Sequence, residues 1–147
     1  MEGSLMSETS VDQPRWSEFS RMPLGQKITS LAVLLSPYSD PETGKFKTPP
    51  VTHLKRDIFP RQGMDGGPAA HTIGLLRKAG VLTNADTRGG KGGDWTLHLP
   101  AGIERCGDAV SAARQAAVLR EADACIRHLG AENVPALIVA LKTRAGL

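Results

Sequence analysis

Apolar residues Ile28, Leu31, Leu34 and Leu35 recur at the three- and four-residue spacing of one helix face, opened by Pro23 and closed by Pro37. Ser36–Pro50 holds PYSDPETG and TPP, which predicts a long turn-forming connection. A short second helix fits Val51–Phe59, with Val51, Leu54 and Ile58 inward and Lys55 and Arg56 outward; Pro60 is expected to end it. The stretch Arg61–Gly67 reads as a turn. A third helix fits Pro68–Ala79, with Asp65 as a cap ahead of it, Ile73 and Leu76 inward, and Gly80 as its stop. Two strands follow, Val81–Thr83 and Asp94–Leu99. In the second, Trp95, Leu97 and Leu99 alternate with Thr96 and His98, the period of a half-buried strand. Between them, NADTRGGKGG is a glycine-rich hairpin loop.

Pro100–Gly102 marks a boundary. Beyond it a long helix fits Asp108–Leu129, with Ala112, Leu119, Ala122, Ile126 and Leu129 on one seam and Gln115 as its polar member. Gly130 stops it. A last helix has Asn133 as cap, Pro135 in its first turn, and Val134, Leu137, Ile138 and Leu141 inward. The pair predicts a C-terminal helical hairpin over 103–147 whose apolar faces exceed what each helix can bury on the other. The remainder would pack on the preceding domain, or on a second copy in a homodimer; the pattern leaves both open. Residues 1–22 are polar, Ser-rich and patternless, a flexible segment in which Trp16 and Phe19 are the large apolar groups. At i, i+3 spacing these two would dock on the domain or engage a partner. The whole is an α+β chain, mostly helical.

The 147 residues suffice for one domain with an appendage, and at 4% aromatic content the core must be aliphatic. The longest apolar runs, Leu31–Leu35 and Ala136–Leu141, fall far short of the ~20 residues of a membrane span. The opening MEGSLMSETS lacks the basic and apolar regions of a signal peptide. Cys106 and Cys125 form no CxxC pair. If one helix spans most of the interval, they lie roughly 25 Å apart, too far for a disulfide. These features predict a soluble cytoplasmic protein without a membrane partner, nucleoid-associated in a bacterium.

Charge is unevenly placed. Residues 1–44 carry three Lys/Arg and six Asp/Glu, residues 45–91 nine and three, and residues 92–147 six of each, so the net +3 arises from the middle segment. A localised basic stretch is the electrostatic footprint of a polyanion partner, or else a solvated face that aids solubility.

The order helix, short helix, helix, strand, Gly-rich loop, strand over about 24–99 resembles the winged helix-turn-helix superfamily. IGLLRKAGVL, Ile73–Leu82, is similar to the end of its recognition helix: apolar anchors Ile73, Leu76, Val81 and Leu82, with a turn at Gly80 that feeds the first wing strand. The resemblance implies a winged helix-turn-helix domain over 23–99 that binds double-stranded DNA, a transcriptional regulator or architectural factor. A recognition helix enters the major groove with its N-terminal half nearest the bases. Pro68, Ala70, His71 and Thr72 would lie there, and His71 and Thr72 would supply base readout. Lys55, Arg56, Arg77 and Lys78 would meet phosphates, as would Arg88 and Lys91 on the wing. Where family members expose Arg, Asn, Gln or Ser, this helix offers Ala69, Ala70, His71, Thr72 and Gly74. That implies readout dominated by shape and backbone, or a winged helix used as a protein-interaction adaptor with the C-terminal helices as docking surface. RNA is a third alternative, with few aromatics to stack on bases.

Other chemistries find little footing. GGKGGD is not a phosphate-binding loop, because Lys91 precedes Gly92 rather than Ser or Thr and a strand follows. The spacings of His53, His71, His98, His128, Cys106 and Cys125 match no zinc pattern. His53 and His98 are expected at the surface, and His128 as a helix-end cation. No GxSxG elbow or HExxH occurs, and Asp40/Glu42 sit in a turn sequence. No cofactor, metal or catalytic residue is expected, and the chain reads as a non-enzyme.

Overall fold

The computed structural model describes residues 23–62, 68–85 and 94–147. The N-terminal segment with Trp16 and Phe19, the Asp65 cap and the loop residues Arg88 and Lys91 lie outside these. The fold is mostly helical with a small antiparallel sheet.

Helix α1, Leu24–Leu35, begins directly after Pro23. Its second half is withdrawn from water on every side: Leu31, Ala32, Val33 and Leu35 expose nothing and Leu34 only 4%. Each fully buried leucine contributes about 1.5–3 kcal/mol of burial. Pro37 diverts the chain into a short 3-10 turn, Ser36–Tyr38, whose Ser36 hydroxyl donates to the Val33 carbonyl at 2.7 Å.

The segment predicted as a long turn-forming connection does turn, and it also carries residues that pair with the sheet. The Asp40 carboxylate accepts from the Glu42 and Thr43 amides at 2.8 and 2.9 Å, closing a turn that pairs Ser39 with Phe46. Residues 44–46 then join the sheet: Phe46 N donates to Trp95 O at 3.0 Å and Leu97 N to Gly44 O at 2.8 Å. Gly44 is needed there. Its φ is +77°, and a Cβ would stand 2.6 Å from the Leu97 carbonyl oxygen.

Helix α2 opens at Pro50–His53, continues as a widened π-type turn over Leu54–Ile58, and tightens to 3-10 over Phe59–Gln62. Pro60 was expected to terminate it. The helical path passes through that residue, because a change of helical pitch accommodates the missing N–H. Helix α3, Ala69–Lys78, buries Ala69, Thr72, Ile73 and Leu76, an i, i+3, i+4, i+7 stripe. Strands β1, Leu82–Asn84, and β2, Trp95–Leu97, pair antiparallel with Leu82 opposite Leu97 and Asn84 opposite Trp95. Trp95 and Leu97 face the core as their alternation predicted.

Arg105 secures the linker that follows: its Nη1 donates to the Ser36 and Ser39 carbonyls at 2.8 and 3.2 Å and to the Ser39 hydroxyl. Helix α4, Ala109–Leu129, is capped by Asp108, whose carboxylate accepts from Ser111 N at 2.8 Å. Ala112, Ala113 and Ala116 are buried against α1. Helix α5, Val134–Ala145, follows a 3-10 turn at Ala131–Asn133. The predicted hairpin is not formed. The chain turns through 107° between α4 and α5, and α5 buries none of its residues. Ile138 and Leu141, expected inward, are about half exposed. Ala122, Ile126 and Leu129 of the predicted seam are exposed as well. Among the described residues, no single helix is long and apolar enough to cross a membrane.

Replacing Gly44 by Ala combines a left-handed torsion with a backbone collision. It should lower stability by about 1–3 kcal/mol in urea unfolding, whereas Gly25→Ala, with open space around it, should not.

Candidate nucleic-acid interface

With Ala69, Thr72, Ile73 and Leu76 turned inward, α3 presents Ala70, His71, Gly74, Arg77 and Lys78 outward. This corrects two expectations. Thr72 is only 4% exposed and Ala69 not at all, so neither belongs to the outer face. The cause is helical geometry: positions 69, 72, 73 and 76 share one side, and a threonine there packs with its neighbours despite its hydroxyl. Pro68 is half-buried at the helix start. On the N-terminal half of the outer face, His71 remains as the side chain able to hydrogen-bond a base edge.

Arg77 lies over the ring of Trp95, its guanidinium carbon 5.8 Å from the centroid. This cation–π contact, worth about 0.5–1 kcal/mol at an exposed site, fixes the cation between α3 and β2. Lys78 is exposed beside it. Lys55 and Arg56 project from the widened turn of α2, which packs on α3. Arg56 also donates to Asp57, from Nε at 3.3 Å and Nη2 at 3.2 Å, so its charge is partly engaged. Arg88 and Lys91, assigned to the loop between the strands, lie outside the described residues.

Two cations escaped the sequence reading. Lys45 and Lys47 are exposed on either side of buried Phe46, and Lys45 meets Asp94 at 3.2 Å where β2 begins. The strand-like alternation Lys-Phe-Lys was the available signal, hidden by the turn residues around it.

His53, expected at the surface, is buried at 7% exposure. It stacks on Tyr38 with ring centroids 4.3 Å apart, and its Nδ1 lies 2.9 Å from the Asp57 carboxylate. Burial pushes the Asp57 carboxyl up, but the hydrogen bonds from Arg56 and His53 outweigh it and hold the group below the usual carboxylate range. Burial, followed by the charge of Asp57, raises the Tyr38 hydroxyl. The trio braces α2 beneath Lys55 and Arg56. His98 is exposed, with Nε2 2.9 Å from the Thr83 hydroxyl, and His128 is exposed in the last turn of α4. Cys106 and Cys125 are free thiols. Among the described residues, no three His, Cys, Asp or Glu side chains converge on one point.

A carboxyl whose folded pKa is depressed stabilises the protein above its unfolded value, and that gain disappears as pH falls through the folded one. Asp57→Asn should therefore melt at a lower temperature than wild type at about pH 7, with the gap closing below about pH 3.9, the free carboxyl value. Thermal melts across that range would show it.

Comparison of the chain with family models, with curated proteins and with solved structures returns no match.

Proposed function

We propose that the chain is a non-enzymatic double-stranded DNA-binding protein built on a winged helix-turn-helix domain, a small regulator or architectural factor. The observation that carries this reading is the division of α3. One side is sealed into the core, while the other offers His71, Arg77 and Lys78; α2, whose first turn packs on α3, offers Lys55 and Arg56 to solvent. A helix of this diameter fits a major groove. The same helix runs through Gly80 into a β-ribbon whose connecting loop carries Arg88 and Lys91 in the sequence. Lys47 adds an exposed cation after the stretch that pairs with β2, where Lys45 is matched by Asp94.

With Thr72 buried, base readout narrows to His71. Affinity then comes from phosphates and groove shape, and discrimination between sequences is small. A second reading, the protein-interaction adaptor, is favoured by the exposed apolar residues of α4 and α5. It predicts no affinity for any duplex.

Fluorescence anisotropy with random duplex, single strand and RNA, each at several salt concentrations, separates these readings. Duplex should bind most tightly. Lys55→Ala should weaken binding to all duplexes alike and reduce the salt slope by about 0.9, and Arg88→Ala with Lys91→Ala by about twice that. Slopes unchanged in both variants, or no duplex binding by folded protein, would remove the DNA reading.

A further inference from the structure

The turn after α1 and the Lys-Phe-Lys stretch that follows it enclose an open cavity of about 580 Å³. That volume lies in the range of small-molecule sites. Its walls are tied down. The Asp40 carboxylate holds the turn through the Glu42 and Thr43 amides, and backbone bridges join Ser39 to Phe46 and Lys45 to Thr96. Part of the wall is apolar, made of Pro37, Pro41 and the rings of Tyr38 and Phe46. Another part is charged: it holds Lys45, Lys47 and one carboxylate, Asp40, whose Oδ1 already serves the two amides. Lys45 is shared with Asp94 at 3.2 Å, whereas Lys47 is exposed and has no ion-pair partner among the described residues. His53 completes the wall at 7% exposure. Its Nδ1 lies 2.9 Å from the carboxylate of Asp57, a residue outside the wall. An ionised carboxylate only accepts, so the neutral ring carries its proton on Nδ1 and keeps a lone pair on Nε2. Among the described residues Nε2 has no hydrogen-bond partner, yet it is not sealed from water. The brace under α2 uses Nδ1 and a ring face, and leaves Nε2 idle.

We propose that this cavity binds a small planar anion that carries an O–H or N–H donor: the anionic group pairs with Lys47 and Lys45, the donor meets Nε2 of His53, and the flat body lies against Tyr38 and the prolines. Hydroxylated aromatic carboxylates and nucleoside monophosphates share that chemistry. Each part of the wall selects one feature of the class. Two lysines against one engaged carboxylate favour negative charge, and Lys47 surrenders no existing ion pair to meet it. The lone pair of Nε2 calls for a donor, which a bare phosphate or acetate does not bring. Rings and prolines favour a flat ring over a flexible chain. Because the walls are already hydrogen-bonded, little ordering is needed on binding. No residue of α3 lines the cavity, so the proposal does not rest on the DNA reading, and a failure of duplex binding leaves it standing.

Calorimetric titration of the full chain with 4-hydroxybenzoate and with uridine monophosphate tests it, against benzoate, which lacks the hydroxyl donor, and uridine, which lacks the phosphate. At least one of the two anions should bind, one molecule per chain, with a dissociation constant below about 1 mM. Its stripped counterpart should bind about tenfold more weakly. Whichever anion binds identifies the source of the shared chemistry. Lys47→Ala should weaken that binding roughly tenfold, whereas Lys142→Ala, which removes an exposed cation from α5, should leave it unchanged. Substituting His53 would also remove the brace under α2, so its part is read in the wild type: the His53 Nε2 resonance in a nitrogen-correlated NMR spectrum should move on binding, and that of His128 should stay. The proposal is overturned if neither anion saturates by about 10 mM, or if the stripped counterpart binds as tightly. Binding that Lys47→Ala leaves unchanged, or that leaves the His53 Nε2 signal in place, overturns it equally.

Discussion

Five consecutive residues, Leu31–Leu35, are buried around the full circumference of α1, and this dictates the rest of the architecture. A helix with one apolar stripe can rest on a single layer. One that is apolar all round needs cover on every side. One core cluster joins it to residues of α2, α3 and the sheet, and the alanine-lined half of α4 packs directly along it. The proximal half of α4 is thus part of the core. Ala112, Ala113 and Ala116 let its backbone come close to α1, and Arg105 fixes the approach by donating to the Ser36 and Ser39 carbonyls of the turn after α1.

The candidate interface inherits its shape from that core. α3 can turn its outer face to a ligand because its inner face is sealed by four side chains of modest size. Arg77 ties α3 to β2 through Trp95, so helix and ribbon present one surface. Beneath α2, the stack of Tyr38 on His53 and the bond from His53 to Asp57 hold the turn that displays Lys55 and Arg56. Charge and position therefore have separate supports: exposed cations above, and an aromatic and carboxylate brace below.

Much of this was legible in the chain. The α1 stripe, the α3 stripe around Ile73 and Leu76 and the alternation around Trp95 follow from periodicity, which local geometry enforces, and the end of α4 follows from Gly130. What was not legible depends on partners distant in sequence. Residues 44–46 are drawn into isolated bridges only because β2 supplies hydrogen bonds, and three residues are too few to show a period. Of the seam expected on α4, Ala112 is buried and Leu119 packs against the core, but Ala113 and Ala116, which carry little hydrophobic signal, complete the buried face in place of Ile126 and Leu129. Thr72 and His53 looked polar by type, yet each sits on the inner side of its helix. Aromatic stacking and an acid partner make the burial of His53 affordable.

The bend between α4 and α5 has a consequence for how such a chain can change. Gly130 carries a φ of +86°, with its amide bonded to Ile126 O and its carbonyl receiving Asn133 N. The bearing of α5 is thus set mainly by the torsions of a few residues, with Val134 and Leu137 only half-buried and no residue of α5 fully so. Alterations between positions 130 and 133 could re-aim the distal arm by tens of degrees while the inner architecture stays as it is. The direction of the distal arm can then drift separately from the fold that carries it.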